Sequence, residues 1–265
     1  MQPNLGIICC KYLCKSLQIF ASRYSHATPS PSPLAKPDPF KHEQRMNGYD
    51  FTLSGTQLTA LGSGALWWPE QGLLCVSDLH LGKSERIARR GGAALPPYDT
   101  RDTLTRLAAD LALSGARTVI CLGDSFDDAD AARALPQEER LWIARMQAGR
   151  RWIWIEGNHD PGPMDLGGSH LVELPLAPLT FRHIAQAGAS GEVSGHYHPK
   201  ASVSTRSARI TRPAFLYDSD RLILPAYGTY TGGLRSHSEV LCALMRPEAR
   251  AILTGKTPVT IPMPR

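Results

Sequence analysis

Three short apolar segments separated by helical patterns constrain the fold more than any other feature of this 265-residue sequence. They are "GLLCVSD" from Gly72, "RTVICLGD" from Arg117 and "RRWIWIEGNHD" from Arg150. Apolar runs of this length, bounded by turn residues, are typical of strands that are buried on both faces. Such strands need covering elements on either side of their sheet.

Two helices are predicted between these strands. In "TRDTLTRLAADLALSGA", Leu104, Leu107 and Leu111 are spaced by three and four residues, and Gly115 ends the pattern. The segment "PQEERLWIARMQAG" opens at Pro136 and closes at Gly149, as a second helix would. An alternation of strand, helix, strand, helix and strand predicts a parallel sheet.

The flanking sequence predicts further strands. "YDFTLSGTQLTALGSGALWWP" has short alternating segments interrupted by glycine, as in an antiparallel meander. After Pro161 the helical signal fades, and we expect strands joined by turns, including a hairpin turn at "DSDR", residues 218–221. The late predicted strands lie in "HLVELPLAPLTFRHI", "GEVSGHYHP", "AFLYDSDRLILPAYG" and "EVLCALMRPEARAIL". The whole predicts an α/β sandwich of two sheets, with a parallel portion early and an antiparallel portion late.

Composition excludes some classes of protein. Hydrophobic content of 42% and charged content of 20% are typical of soluble globular proteins. No apolar run approaches the roughly 20 residues of a membrane-spanning helix. Residues 1–45 carry six Lys or Arg and two acids, which leaves 23 basic and 22 acidic residues in the remainder. The net charge of +5 therefore says little about the partners of residues 46–265.

The first 45 residues leave three interpretations open. They contain no acid before Asp38 and are Ser/Pro-rich from Thr28 to Pro39. They could be a transit-like segment, a secretory signal interrupted by Lys11 and Lys15, or a disordered extension preceding a true start at Met46. We favour the last, with one domain over 46–265. The cysteines form no CxxC pair or regular framework, which favours a reducing, cytoplasmic compartment.

Polar residues follow every one of the three buried strands. The carboxyl ends of parallel strands meet at one edge of a sheet, so these side chains should converge there. A later "VSGHYHP" adds two histidines at i, i+2 spacing, and "LTFRHIA" adds another. The candidate ligands are Asp78, His80, Asp124, Asn158, His183, His196 and His198. Carboxylate and imidazole together suit Mn, Fe or Zn, and seven groups suit two ions sharing a bridging carboxylate.

Taken singly, each of these motifs has a structural explanation. Asp-x-His is common, Gly-Asp after a strand is usually a turn, Gly-x-His is usually a surface loop, and "GNHD" could cap a helix. Their occurrence in order, each after an apolar strand, favours a functional site.

The ordered set "DLH", "GDSFD", "GNHD", a later His and "GHYH" resembles the calcineurin-like metallophosphoesterase superfamily. Three longer segments look like its bacterial ligase-associated DNA-damage-response branch: "SDLHLGKSERIARRGGAALPPYDT", "FRHIAQAGASGEVSGHYHP" and "LILPAYGTYTGGL". The resemblance covers about residues 50–265 and implies mixed sheets flanked by helices. One departure is Ala129, which replaces the last glycine of the usual Gly-Asp-x-x-Asp-x-Gly pattern and puts the loop shape in doubt.

The resemblance also implies the roles of the site residues. One metal would be held by Asp78, His80, Asp124 and His198. The second would be held by Asp124, Asn158, His183 and His196, with Asp124 bridging. His159 would face the substrate phosphate and protonate the leaving group, and Asp160 would orient it. The expected ions are two Mn²⁺, with Fe or Zn as alternatives, and their chemistry would be hydrolysis of a phosphoric ester by an activated water.

The substrate is less constrained. The branch implies a manganese-dependent, nuclease-like phosphodiesterase acting in DNA repair, with a DNA ligase, a helicase and an exonuclease as associates and a homo-oligomer as a further expectation. Basic residues beside the first strand end could track a phosphate backbone, or could simply form a solvated loop or helix face: Lys83, Arg86, Arg89 and Arg90. Tyr227 and Tyr230 could stack on bases. The alternatives are a phosphoesterase acting on nucleotides or phosphomonoesters, and a non-catalytic adaptor, against which no ligand position is vacant.

Overall fold

A computed structural model of the chain describes residues 46–92, 95–162, 165–204 and 208–265. The predicted extension, residues 1–45, lies outside the described residues.

The first sheet contains the three predicted buried strands in the order of the chain. Its members are β1 Gly48–Leu53, β2 Thr56–Leu61, β3 Leu66–Trp68, β4 Leu73–Val76, β5 Thr118–Leu122, β6 Arg151–Ile155 and β7 Ser169–Leu171. Strands β1 to β4 pair antiparallel, which is the predicted meander. Strands β4, β5, β6 and β7 pair parallel. The predicted parallel sheet is therefore confirmed.

The second sheet is built from the later part of the chain. Its strands are β8 Glu173–Leu176, β9 Leu179–Arg182, β10 Glu192–Ser194, β11 Lys200–Ser204, β12 Arg209–Tyr217, β13 Arg221–Ile223, β14 Arg250–Leu253 and β15 Val259–Pro262. Their order across the sheet is β15-β14-β12-β13-β10-β9-β8, and β11 pairs with β12 beside this path. The hairpin turn at 218–221 joins β12 to β13, as predicted.

The helices are α1 Lys83–Arg89, α2 Asp99–Ser114, α3 Ala129–Ala134, α4 Gln137–Gln147 and α5 Glu239–Leu244. Helices α2 and α4 are the two predicted crossovers. Helix α3 begins at Ala129, the residue that departs from the family pattern, and the Asp128 carboxylate caps it by accepting the Ala131 N–H. None of the helices in the described part of the chain has the length and apolar character needed to cross a membrane.

Side-chain alternation in the strands explains the layers. In β4, Leu74 and Val76 join a buried cluster with Leu107 of α2 and Ile143 of α4. Leu73 and Cys75, on the opposite face, join a cluster shared with strands of the second sheet. The outer face of the second sheet packs against α5 in a third cluster. The result is a two-sheet α/β sandwich with mixed sheets and flanking helices, as the sequence predicts.

Two details of the late segment were predicted wrongly. Strand β10 pairs parallel with both β9 and β13, so the second sheet is mixed rather than antiparallel. The residues "EVLCAL", expected as a strand, form α5. Six residues are too few for periodicity to separate a strand from a helix, and the burial of Leu241 against the second sheet decides the outcome.

Candidate metal centre

The carboxyl ends of the first sheet's parallel strands are held together by hydrogen bonds that main-chain N–H groups donate. Beyond the end of β4, the Asp78 N–H donates to the Gly123 carbonyl over 3.2 Å, and the His80 N–H donates to the Asp124 carbonyl over 2.9 Å. From the end of β6, the His159 N–H donates to Asp124 Oδ1 over 2.9 Å. The backbone therefore positions these side chains at a single edge, as the parallel topology requires.

A first cluster joins the end of β4 to the loop after β10. His198 Nε2 lies 3.1 Å from Asp78 Oδ1 and 3.3 Å from His80 Nε2. His80 Nδ1 faces Asp127 Oδ1 at 2.9 Å. A carboxylate can only accept, so Nδ1 carries the proton and the lone pair of Nε2 points at the other two ligand atoms.

A second cluster surrounds His183. Its Nε2 lies 3.3 Å from Asp124 Oδ2, 3.1 Å from Asn158 Oδ1 and 3.2 Å from His196 Nδ1. His183 Nδ1 lies 2.9 Å from the carbonyl oxygen of Leu122, the last residue of β5. Because a carbonyl only accepts, Nδ1 is the protonated nitrogen and Nε2 is free to bind a metal.

The two clusters are neighbours. The His196 N–H donates to Asp78 Oδ2 over 3.0 Å, so a residue of the second cluster is bonded to a ligand of the first. Ligand atoms of Asp78, His80 and His198 lie within 4.8 Å of one another, as do those of Asp124, His183 and His196. All seven sequence-predicted ligands are thus brought together, with Asp124 in the second cluster. Its bridging role stays a prediction.

The backbone is strained where it presents these ligands. Five of the seven predicted ligands have a positive φ, between 45° and 70°: Asp78, His80, Asp124, His196 and His198. This left-handed region costs a non-glycine residue about 1–2 kcal/mol. Such strain persists only where the surrounding structure enforces it, and it is concentrated here at one site.

Hydrogen bonds keep the carboxylates anionic. Burial acts to raise the pKa of Asp78, but the interactions with His198 and His183 and the hydrogen bond from Ser77 outweigh it and leave the pKa below its ordinary value. Burial opposes ionisation of Asp124 as well, yet the interaction with His183 and the hydrogen bond from the His159 N–H prevail and lower the pKa of Asp124 to about 2. Both groups are therefore in the charged form that binds a divalent cation.

The donor set fits divalent metals. Nitrogen and oxygen ligands stand roughly 2.0–2.2 Å from such an ion, so neighbouring ligands around it are about 3.0–3.5 Å apart. The separations in both clusters, 3.1–3.3 Å, fall in this range. Asp78, His80, Asp124 and His183 are buried, whereas Asn158 is exposed and His159, His196 and His198 are half-buried. The site therefore opens to solvent on one side.

His159 and Asp160 have separate positions. His159 Nδ1 lies 2.9 Å from the Asp127 carbonyl oxygen, which assigns the proton to Nδ1 and leaves Nε2 free. The Asp160 carboxylate instead accepts backbone N–H groups of Asp124, Ser125, Phe126 and Gly157. The prediction that Asp160 orients His159 is therefore corrected. Asp160 fixes the loop that carries Asp124, and the Asp127 carbonyl orients His159.

The predicted substrate contacts are occupied by acids. Lys83 and Arg86 both pair with Asp127, and Arg89 and Arg90 both pair with Asp128. These residues lie on and just after α1, close to the first cluster. Their ion pairs reduce the charge available to a phosphate, and their contact with substrate remains a prediction.

Sequence reasoning missed two features. Asp127 fits the family spacing, but only the structure shows it holding His80.

The second missed feature is the hairpin of β11 and β12. It begins two residues after His198, and residues 199–217 contain no acid. Arg209 and Arg212 are exposed there and form no ion pair with any residue that the structure describes. The absence of acids from residues 199–217 is visible in the sequence and could have indicated this basic surface.

The two tyrosines that were predicted to stack on bases lie in different environments. Tyr227 is fully buried and donates its hydroxyl to Asp110 over 2.8 Å, so it cannot stack on a base. Tyr230 lies beside the exposed Tyr98, with ring centroids 5.7 Å apart.

Two sheets with a cluster of imidazoles and carboxylates at the strand ends define a metal-dependent phosphoesterase, and comparison with known families agrees. The family model described as calcineurin-like phosphoesterase matches residues 73–255. The chain belongs to this family and is a metal-dependent hydrolase of phosphoric esters.

Among solved structures, the chain is similar to the crystal structure of the Pseudomonas putida nuclease MPE. The TM-score is 0.65 and the identity 29%, over 80% of this chain and 100% of the other. This likeness is consistent with the ligase-associated branch. No protein among curated sequences matches the chain.

Proposed function

We propose that this chain is a two-metal phosphodiesterase that cleaves DNA, with Mn²⁺ as the native ion. The observation that carries the proposal is the pair of adjacent ligand clusters around Asp78 and Asp124, linked by the His196 N–H. The similarity to a protein described as a nuclease supports nucleic acid as the substrate. Two bound ions would activate a water and neutralise charge on the phosphoryl oxygens.

The residues of the chain supply the remaining functions. Leu122 and Asp127 hold His183 and His80 in the tautomers that present Nε2. His159, with Nδ1 bound to the Asp127 carbonyl, presents Nε2 on the half-buried side of the site. When protonated, this nitrogen can donate to a departing alkoxide, as a general acid does.

The direct test is cleavage of single-stranded and plasmid DNA with Mn²⁺, comparing the unaltered protein with Asp124→Ala. We expect cleavage by the first only, because removal of Asp124 takes away a carboxylate from the second cluster. Equal cleavage by both proteins would show contamination and overturn the proposal. Hydrolysis of p-nitrophenyl phosphate but not bis(p-nitrophenyl) phosphate would favour a phosphomonoesterase instead.

The cellular setting is an extension of the same proposal. The branch resemblance supports a role in DNA repair in the cytoplasm, with association to a DNA ligase, a helicase and an exonuclease. Affinity purification from the native cell under low salt, followed by mass spectrometry, would test these partners. Size-exclusion chromatography with light scattering would test the homo-oligomer.

A further inference from the structure

A cleft of about 310 Å³ opens directly beside the second ligand cluster. Asn158 and His183, both in that cluster, form part of its wall. It lies where β7, the edge of the first sheet, is followed by β8, the edge of the second. A group attached to a phosphate at the metal centre would therefore lie next to this cleft.

The cleft has exposed apolar walls. Val172, between β7 and β8, is 71% exposed, and Ile184, just after His183, is 44% exposed. A single exposed aliphatic side chain is ordinary on a protein surface. Here two such side chains line one cleft, and that cleft shares its wall with two candidate metal ligands. Apolar surface in this position can bind the face of a flat, poorly hydrated group.

The charges of the cleft disfavour the binding there of a phosphate group in addition to the one at the metal centre. Glu156 and Glu173 contribute two carboxylates, against the single guanidinium of Arg182. That guanidinium is already paired, with Nη2 at 3.0 Å from Glu173 and Nε at 3.7 Å from the buried Glu192. An anion entering the cleft would meet uncompensated negative charge. A neutral group with hydrogen-bonding edges would instead meet the Glu156 carboxylate and the exposed Gln186 side chain.

We infer that this cleft, which we call the Val172–Ile184 cleft, is a nucleobase subsite for the nucleotide adjoining the scissile phosphate. The inference rests on the proposed nuclease function and specifies where the substrate's base binds. The volume of the cleft lies at the lower end of the range for small-molecule sites, which suits one base rather than a stacked pair. The apolar walls contact the base face, and the polar residues contact its edge.

The experiment compares a single-stranded oligonucleotide that has normal bases with a series of abasic oligonucleotides, all in Mn²⁺. Each member of the series carries one tetrahydrofuran abasic residue at a different nucleotide. The variants are Val172→Ser and Ile184→Ser, singly and together. Both side chains are exposed, so the variants should keep the melting temperature of the unaltered protein. The matched control is Val259→Ser, because Val259 is 50% exposed on β15, at the opposite edge of the second sheet.

We expect the double variant to raise KM for the normal oligonucleotide about tenfold, as the loss of apolar contacts in a binding pocket does. The abasic residue next to the cleaved bond should raise KM of the unaltered protein similarly, and the variants should add little further. Fluorescence anisotropy with the same oligonucleotides should show the same pattern in affinity. Val259→Ser should change neither quantity.

Three results would contradict this inference. Unchanged KM in all three cleft variants would show that the cleft does not contact substrate. An equal loss on normal and abasic oligonucleotides would show a disturbed metal centre rather than a lost base contact. Cleavage of none of the oligonucleotides by the unaltered protein would overturn the proposed nuclease function, and the base subsite with it.

Discussion

The Nε2 atoms of His80 and His198 lie 3.3 Å apart, although 118 residues separate the two histidines in the chain. The Asp127 carboxylate holds the proton of His80 on Nδ1, so Nε2 of His80 presents a bare lone pair. His198 Nε2 faces this lone pair, and the separation of the two nitrogens fits a proton or a cation between them. Asp78 adds a carboxylate oxygen 3.1 Å from His198 Nε2, which makes a divalent cation the fitting occupant.

Metal removal should destabilise the protein as well as inactivate it. A metal that binds only the native state adds about 2.7 kcal/mol per site when its concentration is 100 times its dissociation constant. Calorimetry after chelation should therefore show a lower melting temperature that Mn²⁺ restores, and isothermal titration should count two equivalents. Binding of a single equivalent would contradict the two-cluster arrangement.

Replacement of Asp127 should weaken metal binding at the first cluster. Asp127→Asn removes the charge that holds the His80 Nδ1–H, and loss of such an outer partner typically costs 10–100-fold in metal affinity. Titration of Mn²⁺ should show one weakened site and one unchanged site. The control is Asp128→Asn, because Asp128 pairs with Arg89 and Arg90 rather than with a histidine of the site. Equal affinities for Mn²⁺ in the two variants would show that Asp127 does not support metal binding.

The loss caused by His159→Gln should depend on the leaving group. A departing alkoxide needs a proton, and a general acid typically contributes 10²–10⁴-fold. Nitrophenolate leaves without that help, so kcat should fall strongly on DNA and little on bis(p-nitrophenyl) phosphate. Metal content should stay unchanged, which separates this role from ligation. A uniform fall on both substrates would argue against a general acid.

Gly123→Ala should be far more damaging than Gly115→Ala. Both glycines have a positive φ, at 79° and 61°, so each substitution carries the strain of about 1–2 kcal/mol for a left-handed alanine. A Cβ at 123 would also lie 2.3 Å from His183 Nδ1, whereas at 115 nothing lies within 4 Å. Only Gly123→Ala should displace His183 and lower metal affinity. Equal denaturation midpoints and equal metal binding in both variants would refute this placement of His183.

Charge reversal on the β11–β12 hairpin should weaken DNA binding in a salt-dependent way. Each lost phosphate contact lowers the slope of log affinity against log salt by about 0.7 for single strands. Arg209→Glu and Arg212→Glu should each reduce both the affinity and the slope. Arg145→Glu is the control, since Arg145 is exposed on α4 and forms no ion pair within the described residues. The same slope of log affinity against log salt in all three variants would show that DNA does not contact the β11–β12 hairpin.

Much of the candidate site could be predicted from local pattern. Asp78, Asp124 and Asn158 follow buried strands, and parallel topology brings such positions to one edge. Short-range signals also located α2 and α4. They failed at "EVLCAL", where six residues carry too little periodicity, and at β10, whose parallel partners are set by the packing of distant segments.

The sequence by itself determined that the three buried strands form a parallel sheet, and it determined the chemical types of the ligands, because periodicity and residue identity are local properties. Tertiary structure alone decided which nitrogens of His80 and His183 face their ligand clusters and which acids neutralise the basic residues of α1. It also decided that the exposed Val172 and Ile184 line one cleft. These features depend on residues that are between 12 and 61 positions apart in the chain, and only the folded structure fixes the distances between them.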